Sequence, residues 1–174
     1  YTYSATANVV IHCGAKPVMV DIKNDFNLSV DAVRAAITSK TKVIIPVDIA
    51  GYPCDYDELN DLVQKKEIKE LFTPGSEEQK KLGRTLILTD AAHSLGAIYK
   101  GKRSGSLTDI SVFSFHAVKN LTTAEGGAVC LNLPQPLDNE EIYKTLCIKG
   151  LHGQTKDALA KSRIGNWKYG VIEA

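Results

Sequence analysis

No stretch of this 174-residue chain holds the roughly 20 consecutive apolar residues that a bilayer-spanning helix needs, and no signal-peptide pattern opens it. A membrane is therefore not an expected partner. Surplus charge is equally scarce: 21 basic against 20 acidic residues leave a net charge of +1, and no basic block stands out. Nucleic acid is not an expected partner either, because it demands clustered positive charge. The four cysteines, Cys13, Cys54, Cys130 and Cys147, are far apart and form no CxxC pair. That spacing supports neither a metal site nor a disulfide framework; reduced, mostly buried thiols and a cytoplasmic location are expected. Internal repeats and low-complexity tracts are missing as well. So is an initiator methionine: the chain opens Tyr1-Thr2-Tyr3, and residues 170–174 (GVIEA) stop without a turn or cap, so both ends read as cuts through a longer protein.

With 44% hydrophobic residues, the chain can bury one ordinary core. Strand-like runs alternate with helical patterns. Residues 4–13 (SATANVVIHC) have helical apolar spacing and stop at Gly14, a residue suited to a helix C-terminus. Residues 16–22 (KPVMVDI) form a short strand-like run. Ser29 can cap a helix in which Val30, Val33, Ala36 and Ile37 share a face. Residues 41–49 (TKVIIPVDI) read as a buried strand running into a Gly51-Tyr52-Pro53 turn. Residues 55–66 (DYDELNDLVQKK) read as an amphipathic helix, acidic at its start and basic at its end. The polar stretch 67–83, broken by Pro74-Gly75, is expected to be a surface excursion. Strands are expected over 85–89, 110–115 and 127–131, and a last helix over 139–149. Near-continuous apolar strands separated by helices predict an α/β fold, a mostly parallel sheet with helices on both faces. Ligands then sit beyond the carboxyl ends of the strands, where the sequence places Asp48, Asp90 and Ser114 around one expected crevice.

The stretch from Asp90 to Gly127 carries the chemistry. Lys119 follows the apolar run 112–115 (VFSF) and precedes Asn120, Thr122, Thr123 and the Gly126-Gly127 pair. A single lysine is usually a solvated surface charge, but one held between buried elements is partly desolvated and accessible as a neutral nucleophile. Asp90 follows an apolar run and precedes two alanines, with no cation near it in sequence. An amine able to condense with a carbonyl, opposite a carboxylate able to keep a pyridine nitrogen protonated, is the equipment of pyridoxal phosphate (PLP) chemistry. The competing reading of Asp90 is a cap or turn aspartate. His93 can hydrogen-bond the ring's phenolic oxygen or be a half-buried structural histidine. Ser114 can donate to a phosphate or satisfy its own strand end. His116 takes a packing role, the two glycines allow the backbone close to a ligand, and Tyr3 either stacks on a planar ring or belongs to the core.

These motifs resemble the DegT/DnrJ/StrS family of sugar aminotransferases, which have the fold type I, aspartate aminotransferase-like architecture. The likeness runs over nearly the whole chain. YTYSATANVVIHCGAKPVMVDI resembles the family's early strand–helix–strand segment, TDAAHSLGA its aspartate motif and SFHAVKNLTTAEGG its lysine motif, with 29 positions from Asp90 to Lys119. The resemblance implies that Lys119 carries PLP as a Schiff base and shuttles the proton at the substrate carbon. It makes Asp90 the partner of the pyridinium nitrogen, His93 a neighbour of the phenolic oxygen, Ser114 a phosphate ligand and Tyr3 an aromatic against the ring. It implies transfer of an amino group from glutamate to a keto sugar linked to a nucleotide, in amino-sugar or surface polysaccharide biosynthesis, by a homodimer. It also implies that residues 1–174 are a fragment of the PLP-binding large domain, without an N-terminal segment and the C-terminal small domain. Ala117 stands where the family commonly has proline, and Asp48 where histidine is frequent. Lys119 argues against the family's dehydratases, which carry histidine there. An amino-hydroxybenzoate-type synthase, or a regulatory or interaction protein that keeps the fold without catalysis, are the alternatives.

Overall fold

A computed structural model describes residues 1–151 and 153; the uncapped stretch 170–174 lies outside the described residues. The chain divides into two compact units, Tyr1–Leu137 and a second that starts at Asp138. The first unit opens with helix α1 (Ser4–His12). Helix α2 (Val30–Ala36) starts where Ser29 permits it, the serine hydroxyl accepting the Ala32 N–H at 3.3 Å. Strand β1 (Val43–Ile44), a 3-10 turn (Ile49–Gly51) and helix α3 (Tyr56–Gln64) follow. Then come the short helices α4 (Lys66–Leu71) and α5 (Glu77–Leu82), strand β2 (Leu86–Asp90) and a hairpin of β3 (Ile98–Tyr99) and β4 (Lys102–Arg103). Strands β5 (Ile110–Ser114) and β6 (Gly127–Leu131) complete the unit. The second unit carries helix α6 (Asn139–Gly150), started by the Asp138 carboxylate, which accepts the Glu140 and Glu141 N–H groups at 2.9 and 3.2 Å.

The main sheet has the order β1-β2-β5-β6, with β1–β2 and β2–β5 parallel and β5–β6 antiparallel. This is the mostly parallel α/β arrangement expected. One face of the sheet is dry: Ile44 and Ile87 pack with Val30 and Val33 of α2, Leu59 and Leu62 of α3, and Ile68 of α4. Period-2 alternation puts Asp90 and its pairing partner Val112 on the other face. There Val112 and its own partner Val129 are exposed, and α1 reaches Asp90. No helix among the described residues is long and apolar enough to cross a membrane.

Four local expectations fail for identifiable reasons. Residues 16–22 make no ladder; Val18 and Met19 are exposed, and only Ile22 bridges Leu28. An apolar run becomes a strand only when a neighbour supplies a row of backbone partners, and here only the end of the run, at Asp21 and Ile22, meets any. The strand expected over 41–49 shrinks to β1 plus a single bridge from Val47 to Asp90, because Pro46 has no N–H to continue the ladder. Its carbonyl still accepts the Asp90 N–H at 2.9 Å. The excursion 67–83 holds most of α4 and all of α5, and the boundaries of α5 were signalled: Ser76 caps it through the Gln79 N–H at 3.2 Å, and Gly83 ends it in the left-handed conformation. Six-residue helices are too short for periodicity to reveal. Finally, only Cys54 of the four thiols is buried; Cys13 is exposed, and Cys130 and Cys147 are partly so.

Candidate active site

Parallel strands bring their carboxyl ends to one edge of a sheet. Asp90 closes β2 and Ser114 closes β5, and since Asp90 pairs with Val112, Ser114 stands two positions further along the adjacent strand. Past Asp90 the chain turns at once, the Ala92 N–H donating to Asp90 Oδ1 at 3.2 Å and the Ser94 N–H to the Ala91 carbonyl at 3.1 Å. Past Ser114 a loop is pinned at its base, Phe115 N–H donating to the Gly126 carbonyl at 2.8 Å and Thr123 N–H to the Phe115 carbonyl at 2.9 Å. Within it the Lys119 N–H reaches the His116 carbonyl at 2.9 Å. Asn120 joins the two loops, its Nδ2 donating to the Leu95 carbonyl at 3.1 Å.

Between these loops lies an open cleft of about 300 Å³ lined by Ala50, His93, Val118, Lys119 and Asn120. Two of the expected site residues, His93 and Lys119, therefore share one cavity wall. Lys119 is half-buried, and among the described residues its amine has no hydrogen-bond or ion-pair partner. Asp90, Ser114 and Tyr3 are not among the lining residues. Asp90 adjoins the cleft through the turn that carries His93, and its Oδ2 accepts the Thr6 hydroxyl at 2.7 Å. The Ser114 hydroxyl oxygen accepts the His116 N–H at 3.3 Å, which leaves its own hydrogen free to donate. Tyr3 is 80% exposed and belongs to no core. The residues present suit PLP: an unpaired amine lines a cleft beside an imidazole, and an adjoining carboxylate has no cation among the described residues to neutralise it.

Two expectations, for Asp48 and His116, are corrected here. Asp48 does not face the crevice; it is 1% exposed, and its Oδ1 accepts the Tyr56 hydroxyl and the Cys54 N–H. His116 does not pack, because β5 ends at Ser114 and the ring stays half-exposed, 3.9 Å from Glu125. The tight approach at Gly127 is chain to chain: a Cβ there would lie 2.6 Å from the Phe113 carbonyl oxygen. Gly51 plays the same part behind the cleft. It sits at φ +83°, and a Cβ would lie 2.8 Å from the His93 carbonyl oxygen, so the 3-10 turn props the His93 turn from behind.

Burial raises the Asp48 carboxyl above its ordinary 3.8, helped by the negative charge of Asp90 and opposed by nearby hydroxyls and the Cys54 N–H. Its Oδ2 and the Ser94 hydroxyl lie close, yet neither makes a well-formed hydrogen bond. The same burial, with Asp48 beside it, pushes the Cys54 thiol up to about 12, which makes it a poor nucleophile. A carboxyl raised in the folded state holds its proton more tightly folded than unfolded. Its contribution to stability is complete below about pH 4 and lost as pH climbs through the raised value. Asp48→Asn keeps the acceptor for Tyr56 and Cys54 and offers an N–H to Ser94. Its stability relative to wild type should therefore rise as pH climbs from about 4 through the raised value, read from urea midpoints. A pH-independent difference would contradict the raised carboxyl.

The chain's likeness to other proteins can be set beside this geometry. Residues 1–72 and 79–168 match the profile of the DegT/DnrJ/EryC1/StrS aminotransferase family. The spore coat polysaccharide biosynthesis protein SpsC of Bacillus subtilis is 36% identical over 98% of this chain and 38% of its own length. GDP-perosamine synthase of Caulobacter vibrioides is 40% identical over 75% of this chain and 31% of its own. A candidate sugar aminotransferase of Streptococcus pneumoniae, solved in its PMP form, superposes with a TM-score of 0.90 at 52% identity, covering 99% of this chain and 43% of that one. The same protein in its PLP form gives 0.88 at 48% identity. The chain thus spans under half the length of each of these relatives. A profile match over nearly all of the chain places it plainly: the protein belongs to the DegT/DnrJ/EryC1/StrS aminotransferase family.

Proposed function

We propose that this chain supplies the cofactor edge of a PLP-dependent aminotransferase that moves an amino group from glutamate to a keto sugar linked to a nucleotide. The observation that carries the reading is the shared wall of one cleft by His93 and the unpaired Lys119, at the strand edge that also ends in Asp90 and Ser114. The relatives' names support it, one being a GDP-perosamine synthase and another a spore coat polysaccharide biosynthesis protein. PLP, when bound, supplies an electron sink for the pair left at a deprotonated carbon. Lys119 Nζ would hold the cofactor and would carry the proton at the substrate carbon. The Asp90 carboxylate would accept a hydrogen bond from the ring nitrogen and favour its protonated form. His93 would serve the phenolic oxygen, the free hydrogen of the Ser114 hydroxyl would donate to the phosphate, and the exposed Tyr3 would supply an aromatic face to the ring. The complete protein works in amino-sugar or surface polysaccharide biosynthesis, in the cytoplasm and as a homodimer.

Borohydride treatment of the complete protein with PLP, followed by peptide mass spectrometry, tests the assignment. A reduced phosphopyridoxyl group is expected on Lys119. A protein that stays colourless and unlabelled is no PLP enzyme. Turnover of glutamate with a 4-keto-6-deoxy nucleotide sugar then separates amino transfer to sugars from other PLP chemistry.

A further inference from the structure

We infer that Thr6 is a positioning residue for Asp90, and that a two-hydroxyl relay from Thr2 through Thr6 fixes the plane of that carboxylate. The inference rests on the reading of Asp90 as partner of the cofactor's ring nitrogen. The Thr6 hydroxyl donates to Asp90 Oδ2 at 2.7 Å and accepts from the Thr2 hydroxyl at 2.8 Å. An ionised carboxylate only accepts, so the single Thr6 hydrogen must point at Asp90, and its oxygen is then free to accept from Thr2. The direction of the relay is thereby fixed. Oδ1 is held separately by the Ala92 N–H at 3.2 Å. The terminal torsion of an aspartate is broad, so a bond on one oxygen leaves the plane free to swing, whereas one bond on each oxygen sets it. One lone pair on each oxygen is used, and the others are left for the ring nitrogen.

The placement of α1 argues that this contact is more than incidental. The helix buries none of its side chains, and Val9 and Ile11 are over half exposed. Among the described residues, its one hydrogen bond to the sheet is Thr6 to Asp90, across 84 positions of sequence. A helix without a buried face in this unit is thus registered on the sheet by a polar bond to the carboxylate that the chemistry uses.

The test uses the complete protein with Thr6→Val, which keeps the shape and removes the hydroxyl, and Thr6→Ser, which keeps the hydroxyl. Two quantities are read: the PLP dissociation constant by spectroscopic titration of the apoprotein, and the pH midpoint of the bound cofactor's visible band. Thr6→Val should weaken PLP binding about tenfold and displace the pH midpoint, while Thr6→Ser should stay within about twofold of wild type. Equal values in Thr6→Val and wild type overturn the inference. Equal losses in both variants overturn it too, since they would mean that the side chain only docks the helix. Should Thr6→Val not fold, Thr2→Val reads the same relay, with about a threefold weakening expected and an unchanged constant fatal. Wild-type protein that binds no PLP refutes the proposed function itself, a result distinct from either.

Discussion

Lys119→Ala should cut amino transfer by the complete protein about a thousandfold or more, because on the proposed function it removes both the covalent attachment and the proton carrier in one step. Borohydride should then label no lysine in the loop. Stability should barely change, within about 0.5 kcal/mol, since the amine has no partner among the described residues to lose. Pyridoxamine phosphate should still bind, because the groups assigned to its ring and phosphate (Asp90, His93 and Ser114) are untouched. That combination separates a chemical loss from a folding loss. Steady-state rates, thermal unfolding and a pyridoxamine phosphate titration of one variant suffice to read it, and full activity in Lys119→Ala would remove Lys119 from the mechanism.

The second large effect is expected far from the chemistry. Arg84 and Asp109 form a buried bidentate pair, with Nη1 to Oδ2 and Nη2 to Oδ1 both at 2.7 Å and side chains 8% and 6% exposed. Asp109 Oδ2 also accepts the Ile87 N–H at 2.9 Å, so the pair clamps the start of β2 against the start of β5. Removing one partner strands a charge in the dry interior, so Arg84→Met should destabilise the complete protein by about 3–5 kcal/mol. Replacing both, Arg84→Met with Asp109→Leu, should cost less, about 1–3 kcal/mol, because no charge is then stranded and the losses are the acceptor of the Ile87 N–H and the Arg84 donor to the Thr85 carbonyl. Urea unfolding of both variants measures the difference. A double variant worse than the single one would show that the pair contributes net stability and is not merely costly to break. The clamp matters to the site because β2 and β5 carry Asp90 and Ser114 at their far ends.

Where residues interact with chain neighbours, the sequence was readable. Ser29 announced α2, the acidic start of 55–66 announced α3, although α3 stops at Gln64 before the lysines expected at its end, and the runs at 85–89, 110–115 and 127–131 fell on β2, β5 and β6 to within a residue or two. The hairpin of β3 and β4 went unread because its strands are two residues long, and its turn relies on left-handed Lys100 and Gly101. The same division runs through the site. The order of Asp90, His93, Ser114 and Lys119 was legible as motif, and strand polarity put Asp90 and Ser114 at one edge.

What the sequence determined alone, then, is the family, the parallel alternation and the motif residues that the proposed function draws on, because periodicity, caps and short motifs are local in the chain. The tertiary structure decided which polar atoms meet. It turned Asp48 inward to Tyr56, seated Arg84 on Asp109, brought Thr6 to Asp90 and left Lys119 without a partner among the described residues. Such pairings join positions tens of residues apart, and the cost of leaving a buried polar group unmatched is felt only once the backbone has closed around it.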